Sequence, residues 1–248
     1  MHNYRPSYSN IPPVVKNLII INVLMWLGTI ILNMRGIDLT GILGLHYFSS
    51  ELFRPYQLVT HLFMHDPTGF THILFNMFAL WMFGRVLESV WGPKRFFIYY
   101  FVTGLGAAAL HMFVNYIEFQ SIASHMTPEN VKLVMQQGTE IWNQGKNFTD
   151  PDMGQLNTIL NVPTVGASGA VFGLLLGFGM LFPNTQLMLL FPPIPIKAKY
   201  FVIGYGLIEL YLGLTNSASN IAHFAHLGGM LFGFILIKYW NKHSNHFY

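Results

Sequence analysis

Six apolar stretches set the terms for this chain: about Val15 to Asn33, His72 to Val90, Phe96 to Tyr116, Ser168 to Phe182, Tyr200 to Leu214 and Ile221 to Trp240. A helix of roughly 20 apolar residues crosses the ~30 Å hydrocarbon core of a bilayer. Only helices and closed barrels satisfy every backbone polar group in lipid. The stretches therefore predict an all-α polytopic membrane protein of six transmembrane helices. The charge content agrees. Only 9% of the 248 residues are charged, against about 25% in ordinary soluble domains, and the mean hydropathy is +0.42. The fourth and fifth stretches are short for a span, which predicts helices that begin below the membrane surface or pack inside the bundle.

The basic residues orient these spans. Nine of the thirteen Lys and Arg, including Arg5, Lys16, Arg85, Lys94 and Arg95, fall on the side of the N-terminus. Arg35, Arg54, Lys132 and Lys146 fall on the other side. The positive-inside rule then puts both termini in the cytoplasm. The expected organisation is a cytoplasmic tail over 1–14, a membrane domain over 15–240 and a second cytoplasmic tail over 241–248. Met1 to Pro13 is polar and aromatic, unlike a cleaved signal peptide. No cysteine is present, which excludes disulfide and thiol chemistry. The net charge of +3 points to no nucleic-acid partner, and no internal repeat is visible.

Two outer loops follow from this topology. The first, about 34–71, carries aromatic pairs suited to the membrane interface. The second is an extended insertion at about 117–164, between the third and fourth spans. In it, Thr127-Pro128-Glu129 reads as a helix start: a capping threonine, proline at the first position and an acid in the first turn. A helix over 128–144 is expected. Asn147-Phe148-Thr149 is a glycosylation sequon, relevant only in a eukaryotic lumen. Pro192-Pro193-Ile194-Pro195 predicts a rigid inner turn.

Polar residues at membrane depth are costly and are functional candidates for that reason. Ser168 lies in Gly166-Ala167-Ser168-Gly169 at the head of the fourth span. Glycine on both sides permits a tight turn and close approach of a substrate chain. Free backbone N–H groups at a helix start can stabilise an oxyanion. His226 lies about one turn into the sixth span, followed on the same face by Gly229 and Gly233. That face can pack against the stripe Gly169, Gly173 and Gly177, bringing His226 to Ser168 as a base for its hydroxyl. His72 and Asn76 are four apart, share a helix face and both donate hydrogen bonds.

Each feature has a plainer reading. The glycine stripe is also a helix-contact motif, and a membrane histidine often only bridges helices. His223 reads as interfacial and non-catalytic. His61, His65, His72, His223 and His226 cluster toward the outer side, but their spacing matches no common zinc motif, so neither metal nor cofactor is expected. Glu209 is the one acid placed mid-membrane, and nothing in the sequence names its partner. A Ser–His dyad without a third acid is expected, with the His226 ring stacked on Phe172.

These motifs resemble those of the rhomboid intramembrane serine proteases. Gly166-Ala167-Ser168-Gly169 is similar to the family's G-x-S-G turn. Ala225-His226-Leu227-Gly228-Gly229, with Gly233 beyond, resembles its last-helix motif, and His72-Ile73-Leu74-Phe75-Asn76 its H-x-x-x-N motif. The resemblance implies a rhomboid-like six-helix bundle with Ser168 as nucleophile and His226 as general base. His72, Asn76 and the Ser168 N–H would form the oxyanion hole, with Gly166, Gly169 and His65 in support. It further implies single-pass transmembrane substrates, admitted between the second and fifth helices, and a bacterial inner-membrane location. Phe53-Arg54 stands where the family commonly has Trp-Arg, and Phe172 where some relatives carry tyrosine. Two other classes stay open: a non-catalytic rhomboid-like protein that binds membrane helices, and a histidine-lined transporter or metal carrier.

Overall fold

A computed structural model describes residues 11–188, 193–215 and 220–243. Most of the expected N-terminal tail, the end of the C-terminal tail and Pro192 of the expected proline turn lie outside the described residues.

The first helix, α1 (Pro13–Asn33), starts on a proline, whose fixed φ suits a first turn. Its free N–H groups are capped from far along the chain. The Glu88 carboxylate accepts from Val14 N–H at 3.0 Å and Val15 N–H at 2.8 Å. The helix carries its polarity inside out. Asn22 and Thr29 are fully buried, while Leu24 is 61% exposed. A helix in water shows the reverse, so the outward face of α1 is suited to lipid. Asn22 and Thr29 settle their buried donors on the carbonyls of Leu18 and Met25.

The first loop is folded rather than loose. It holds α2 (Leu39–Leu43), α3 (Gln57–Thr60) and a 3-10 turn, His61–Phe63. Buried Gln57 knits it together. Its Oε1 accepts from Arg54 N–H at 3.0 Å, and its Nε2 donates to the Ile42 and Leu52 carbonyls at 3.2 and 3.1 Å.

The expected second span is α4 (Phe70–Ala79), a π-helical turn Leu80–Gly84, and the start of α5 (Arg85–His125). A kink divides α5 at Gly92, which has a left-handed φ of +78° and precedes Pro93. Only glycine takes that conformation cheaply, and proline cannot continue the hydrogen-bond ladder. The third span therefore begins directly after the second, and its helix runs on past the expected end at Tyr116 to His125. Pro13–Asn33 and Phe70–His125 are long and apolar enough to cross a membrane.

The insertion contains two helices, one more than the sequence predicted. The first, α6 (Pro128–Asn143), starts as expected, with the Thr127 hydroxyl accepting from Asn130 N–H. The second, α7 (Pro151–Asn161), uses the same device: Asp150 caps it, accepting from Met153 N–H at 3.0 Å. Val134, Met153, Leu156, Ile159 and Leu160 bury a small core of their own with Tyr47 and Ile122.

The next helix, α8 (Ser168–Leu181), is the buried centre of the molecule, packed between α5 and the last helix. Its shortness follows from that position, as expected. A two-stranded antiparallel ribbon, β1 (Gln186–Met188) with β2 (Pro195–Lys197), flanks the expected proline turn, whose last residue, Pro195, begins β2. The peripheral α9 (Ala198–Leu214) buries only Ala198, Val202, Glu209 and Gly213. The last helix is α10 (Asn220–His243).

The glycines divide their work differently from the sequence expectation. A Cβ on Gly173 would run into Thr103, and one on Gly177 would crowd Tyr99 and Trp91, so this part of the stripe accommodates α5. Gly229 of α10 does meet α8, but at the backbone of Gly169, where a Cβ would overlap the carbonyl oxygen.

Candidate active site

Ser168 reaches its position because the chain enters α8 through a turn held from two sides. Leu45 and Thr164 exchange backbone hydrogen bonds at 2.9 and 2.8 Å, tying the first loop to the segment before the serine. Gly166 N–H then donates to the His61 carbonyl at 3.0 Å. Gly166 has φ of +123°, a conformation strained for any side chain. Ser168 is the first helical residue and Ala167 the cap position, without a side-chain capping bond. The hydroxyl of Ser168 is therefore not spent on its own helix. The first intrahelical bond runs from Val171 N–H to Ala167, which leaves the N–H of Ser168 among those without an intrahelical acceptor.

His226 comes from α10. Its Nε2 lies 2.9 Å from Ser168 Oγ, within reach for proton transfer. Contact at this distance requires close approach of α8 and α10, which Gly229 on Gly169 permits. The Phe172 ring stacks on the imidazole, with centroids 4.1 Å apart and planes 7° from parallel, as the sequence led us to expect.

His72 and Asn76 sit on α4 beside the serine turn. A Cβ on Gly166 would lie 3.1 Å from His72 Nε2 and 3.6 Å from Ser168 Oγ. Gly166 thus borders the space between these two groups. Asp66 N–H approaches His72 Nδ1 at 3.4 Å. An acceptor role for Nδ1 puts the proton on Nε2, where it points to the serine side. The Thr68 hydroxyl and N–H donate to the Asp66 carboxylate and hold its pKa below the ordinary value. Asn76 is buried and donates one amide hydrogen to the His72 carbonyl at 2.9 Å, keeping the other available. His65 is fully buried with its ring 5.0 Å from that of His72. Burial pushes its pKa down to about 4, which leaves a neutral ring beside His72.

A cavity of about 30 Å³ lies behind Ser168, bordered by His61, His111, Thr164 and Gly166 among others. That is room for one or two waters with polar partners. Of the polar residues singled out near the outer side, His61 lines it; His65, His72 and Asn76 do not. His111 and Thr164 were missed from sequence. Thr164 Oγ1 contacts His111 Nε2 at 2.7 Å, and Asn115 Nδ2 is 3.2 Å from the same nitrogen. The signal was present: His111 and Asn115 are four apart inside an apolar span, the same pattern that marked His72 and Asn76.

The largest departure concerns Glu209. Its Oε2 lies 2.6 Å from His223 Nδ1 and 3.1 Å from His226 Nδ1. The expectation that no acid stands near His226 is corrected. Residues 17 apart in sequence meet here because α9 and α10 are antiparallel neighbours in contact along this stretch, a pairing no spacing rule reveals. His223 is likewise not merely interfacial, since it binds the same carboxylate oxygen. Donor atoms of Glu209, His223 and His226 all lie within 4.8 Å of one another, close enough to surround a cation.

Comparison with known proteins bears on the family of the chain. The family model for the rhomboid domain matches residues 52–242. The chain is 28% identical to "RHOMBOID-like protein 12, mitochondrial" of Arabidopsis thaliana, over 87% of its own length and 55% of that protein. It is 28% identical to the "Putative rhomboid protease YdcA" of Bacillus subtilis over 73% of its length and 65% of the relative. It is 26% identical to the "Rhomboid protease AarA" of Providencia stuartii over 67% of its length and 50% of the relative. The chain thus spans about half to two thirds of the length of these curated relatives.

Proposed function

Because the chain belongs to the rhomboid family of integral membrane proteins, we propose that it is an intramembrane serine endopeptidase that cleaves transmembrane helices near the outer face. The observation that carries this reading is the 2.9 Å contact between Ser168 Oγ and His226 Nε2. A protein that only binds helices has no need of that pair.

Ser168 is the nucleophile and His226 its base. Neutral His226 takes the hydroxyl proton at Nε2 as Oγ attacks the substrate carbonyl. The oxyanion that forms is met by the Ser168 N–H, His72 Nε2–H and the free amide hydrogen of Asn76. His226 then protonates the leaving amine, and an acyl-enzyme remains on Ser168. Water from the polar cavity beside His61, His111 and Thr164 completes the hydrolysis. Acidification lowers the rate by protonating the base.

Six membrane helices built from α1, α4 with the start of α5, the rest of α5, α8, α9 and α10 hold this site. The membrane domain is residues 15–240, with both termini cytoplasmic and a bacterial inner membrane as the setting. Substrates are single-pass membrane proteins that reach Ser168 sideways, between α4 and α9. The packing of α9 on α8 and α10 rather than on α4 supports that route. So do the apolar side chains exposed on both flanks, Phe75 and Phe78 of α4 and Leu207 and Tyr211 of α9. Substrate helices with weak internal propensity, containing Gly or Pro, unwind at lower cost and are cut first. No metal or cofactor enters this chemistry.

The test is labelling of the purified full chain with a fluorophosphonate. The parent is expected to label, and Ser168→Ala and His226→Ala are expected to abolish it. Labelling that persists in Ser168→Ala, or a parent that does not react, defeats the protease reading and favours a helix-binding role.

A further inference from the structure

Glu209 is an acid buried on a helix that otherwise exposes most of its surface, at a depth where a carboxylate is costly. Its surroundings state why it is tolerated. One oxygen, Oε2, faces the Nδ1 atoms of both His223 and His226. The opposite ring nitrogen of His226 faces Ser168 Oγ. For Nε2 to accept the serine proton it must carry a lone pair, which puts the ring hydrogen on Nδ1. That Nδ1 is buried and has no well-aligned hydrogen bond among the described residues. The Glu209 oxygen is within 3.1 Å but off the N–H line. Catalytic hydrogen bonds of this kind are often bent before substrate arrives and tighten as charge develops.

We propose that Glu209 is a positioning residue that completes a Ser168–His226–Glu209 relay, and this rests on the protease reading above. The carboxylate holds His226 in the tautomer with Nδ1 protonated. As Oγ attacks, its proton moves to Nε2, Nδ1 keeps its own, and the ionised Glu209 faces the resulting imidazolium. His223, at 2.6 Å, fixes the carboxylate from the other side. The same three side chains are the cluster that can surround a cation. Tetrahedral zinc with ligands at about 2.0–2.1 Å sets donor atoms about 3.3 Å apart. The 2.6 Å separation of Glu209 and His223 suits a shared proton better.

The experiment measures the rate of fluorophosphonate labelling and the melting temperature of the full chain in detergent. It compares the parent with Glu209→Gln, Glu209→Asp and His223→Gln. Losing a well-aligned orienting carboxylate in a serine protease costs ~10⁴ in kcat; for the bent, shared contact here a loss on the order of 10–10³-fold is expected. Glutamine preserves size, so Glu209→Gln should melt near the parent while labelling slowly. Glu209→Asp, which keeps the charge, should recover part of the rate. His223→Gln should retain most of it. Parent-like labelling by Glu209→Gln overturns the proposal, as does Glu209→Asp no faster than Glu209→Gln. A loss in His223→Gln as deep as in Glu209→Gln traces the effect to His223 and also overturns it. If Glu209→Gln does not fold, Glu209→Asp decides alone: slowed labelling at an unchanged melting temperature supports the relay, and parent-like labelling refutes it. Labelling that rises with EDTA in the parent reveals a bound cation and overturns the proton-holding role. A parent that never labels defeats the protease reading itself, whatever Glu209 does.

Discussion

Gly229→Ala tests whether the catalytic contact depends on close approach of α8 and α10. A Cβ at this position would overlap the Gly169 carbonyl oxygen and stand 2.8 Å from its carbonyl carbon. Carbon atoms settle at about 3.5–4.0 Å, so α10 must retreat by roughly 1 Å at this point. His226 is three residues away on the same face, and its contact with Ser168 is 2.9 Å. The retreat carries Nε2 toward ~4 Å from Oγ, outside hydrogen-bond range. A misplacement of ~1 Å in a catalytic group costs about 10²-fold. Overpacking of a tight interface costs about 1–3 kcal/mol of stability. The expected outcome is thus a labelling rate reduced by about two orders of magnitude together with a lower melting temperature. Gly204→Ala is the control, because nothing lies within 4 Å of a Cβ there. It should label like the parent. Parent-like labelling by Gly229→Ala would show that the helices yield without moving the dyad, and the dependence on close approach would be refuted.

Further outcomes follow from neighbouring contacts. Phe172→Ala removes the ring stacked on His226 at 4.1 Å; aromatic stacking worth about 0.5–1.5 kcal/mol predicts a roughly 2- to 12-fold slower labelling, with Phe172→Tyr restoring the parent rate. Gly166→Ala places a methyl between His72 Nε2 and Ser168 Oγ at a φ of +123°; labelling and peptide cleavage should both fall, and an unchanged cleavage rate would place the oxyanion elsewhere. Glu88→Ala leaves two N–H groups of α1 without their acceptor; a loss of about 1–3 kcal/mol is expected in thermal unfolding, with the labelling rate of the folded fraction unchanged.

Much of the layout is legible residue by residue. The start of α8 at Ser168, the end of α9 at Leu214 and the helix from Pro128 stand where local pattern puts them, because apolar length and capping are local properties. The same capping logic also marks α7, since Asp150-Pro151-Asp152 repeats the signature of Thr127-Pro128-Glu129; the signal was there to read. The Gly92 kink was harder to see, because a glycine and a proline between two apolar runs announce a break but not that one helix follows the other without a loop.

The sequence by itself determined that this chain is built of apolar helices and which polar groups are carried into them: Ser168 and His226, each on its helix and in a motif of its own, and His72 with Asn76 together in a third. Spacing within one helix also fixed which of them share a face, since 3.6 residues make a turn. The tertiary structure alone decided which groups from different helices meet. The glycines of α8 turned out to serve α5 at Gly169, Gly173 and Gly177, while α10 closes on the Gly169 backbone through Gly229, because which neighbour fills a notch depends on the packing of whole helices. Glu209 was an acid with no visible partner until α9 lay against α10 and aimed it at His223 and His226. Hydrogen bonding acts over about 3 Å of space regardless of chain separation, so the partner of a buried charge is written in the fold and not in the order of residues.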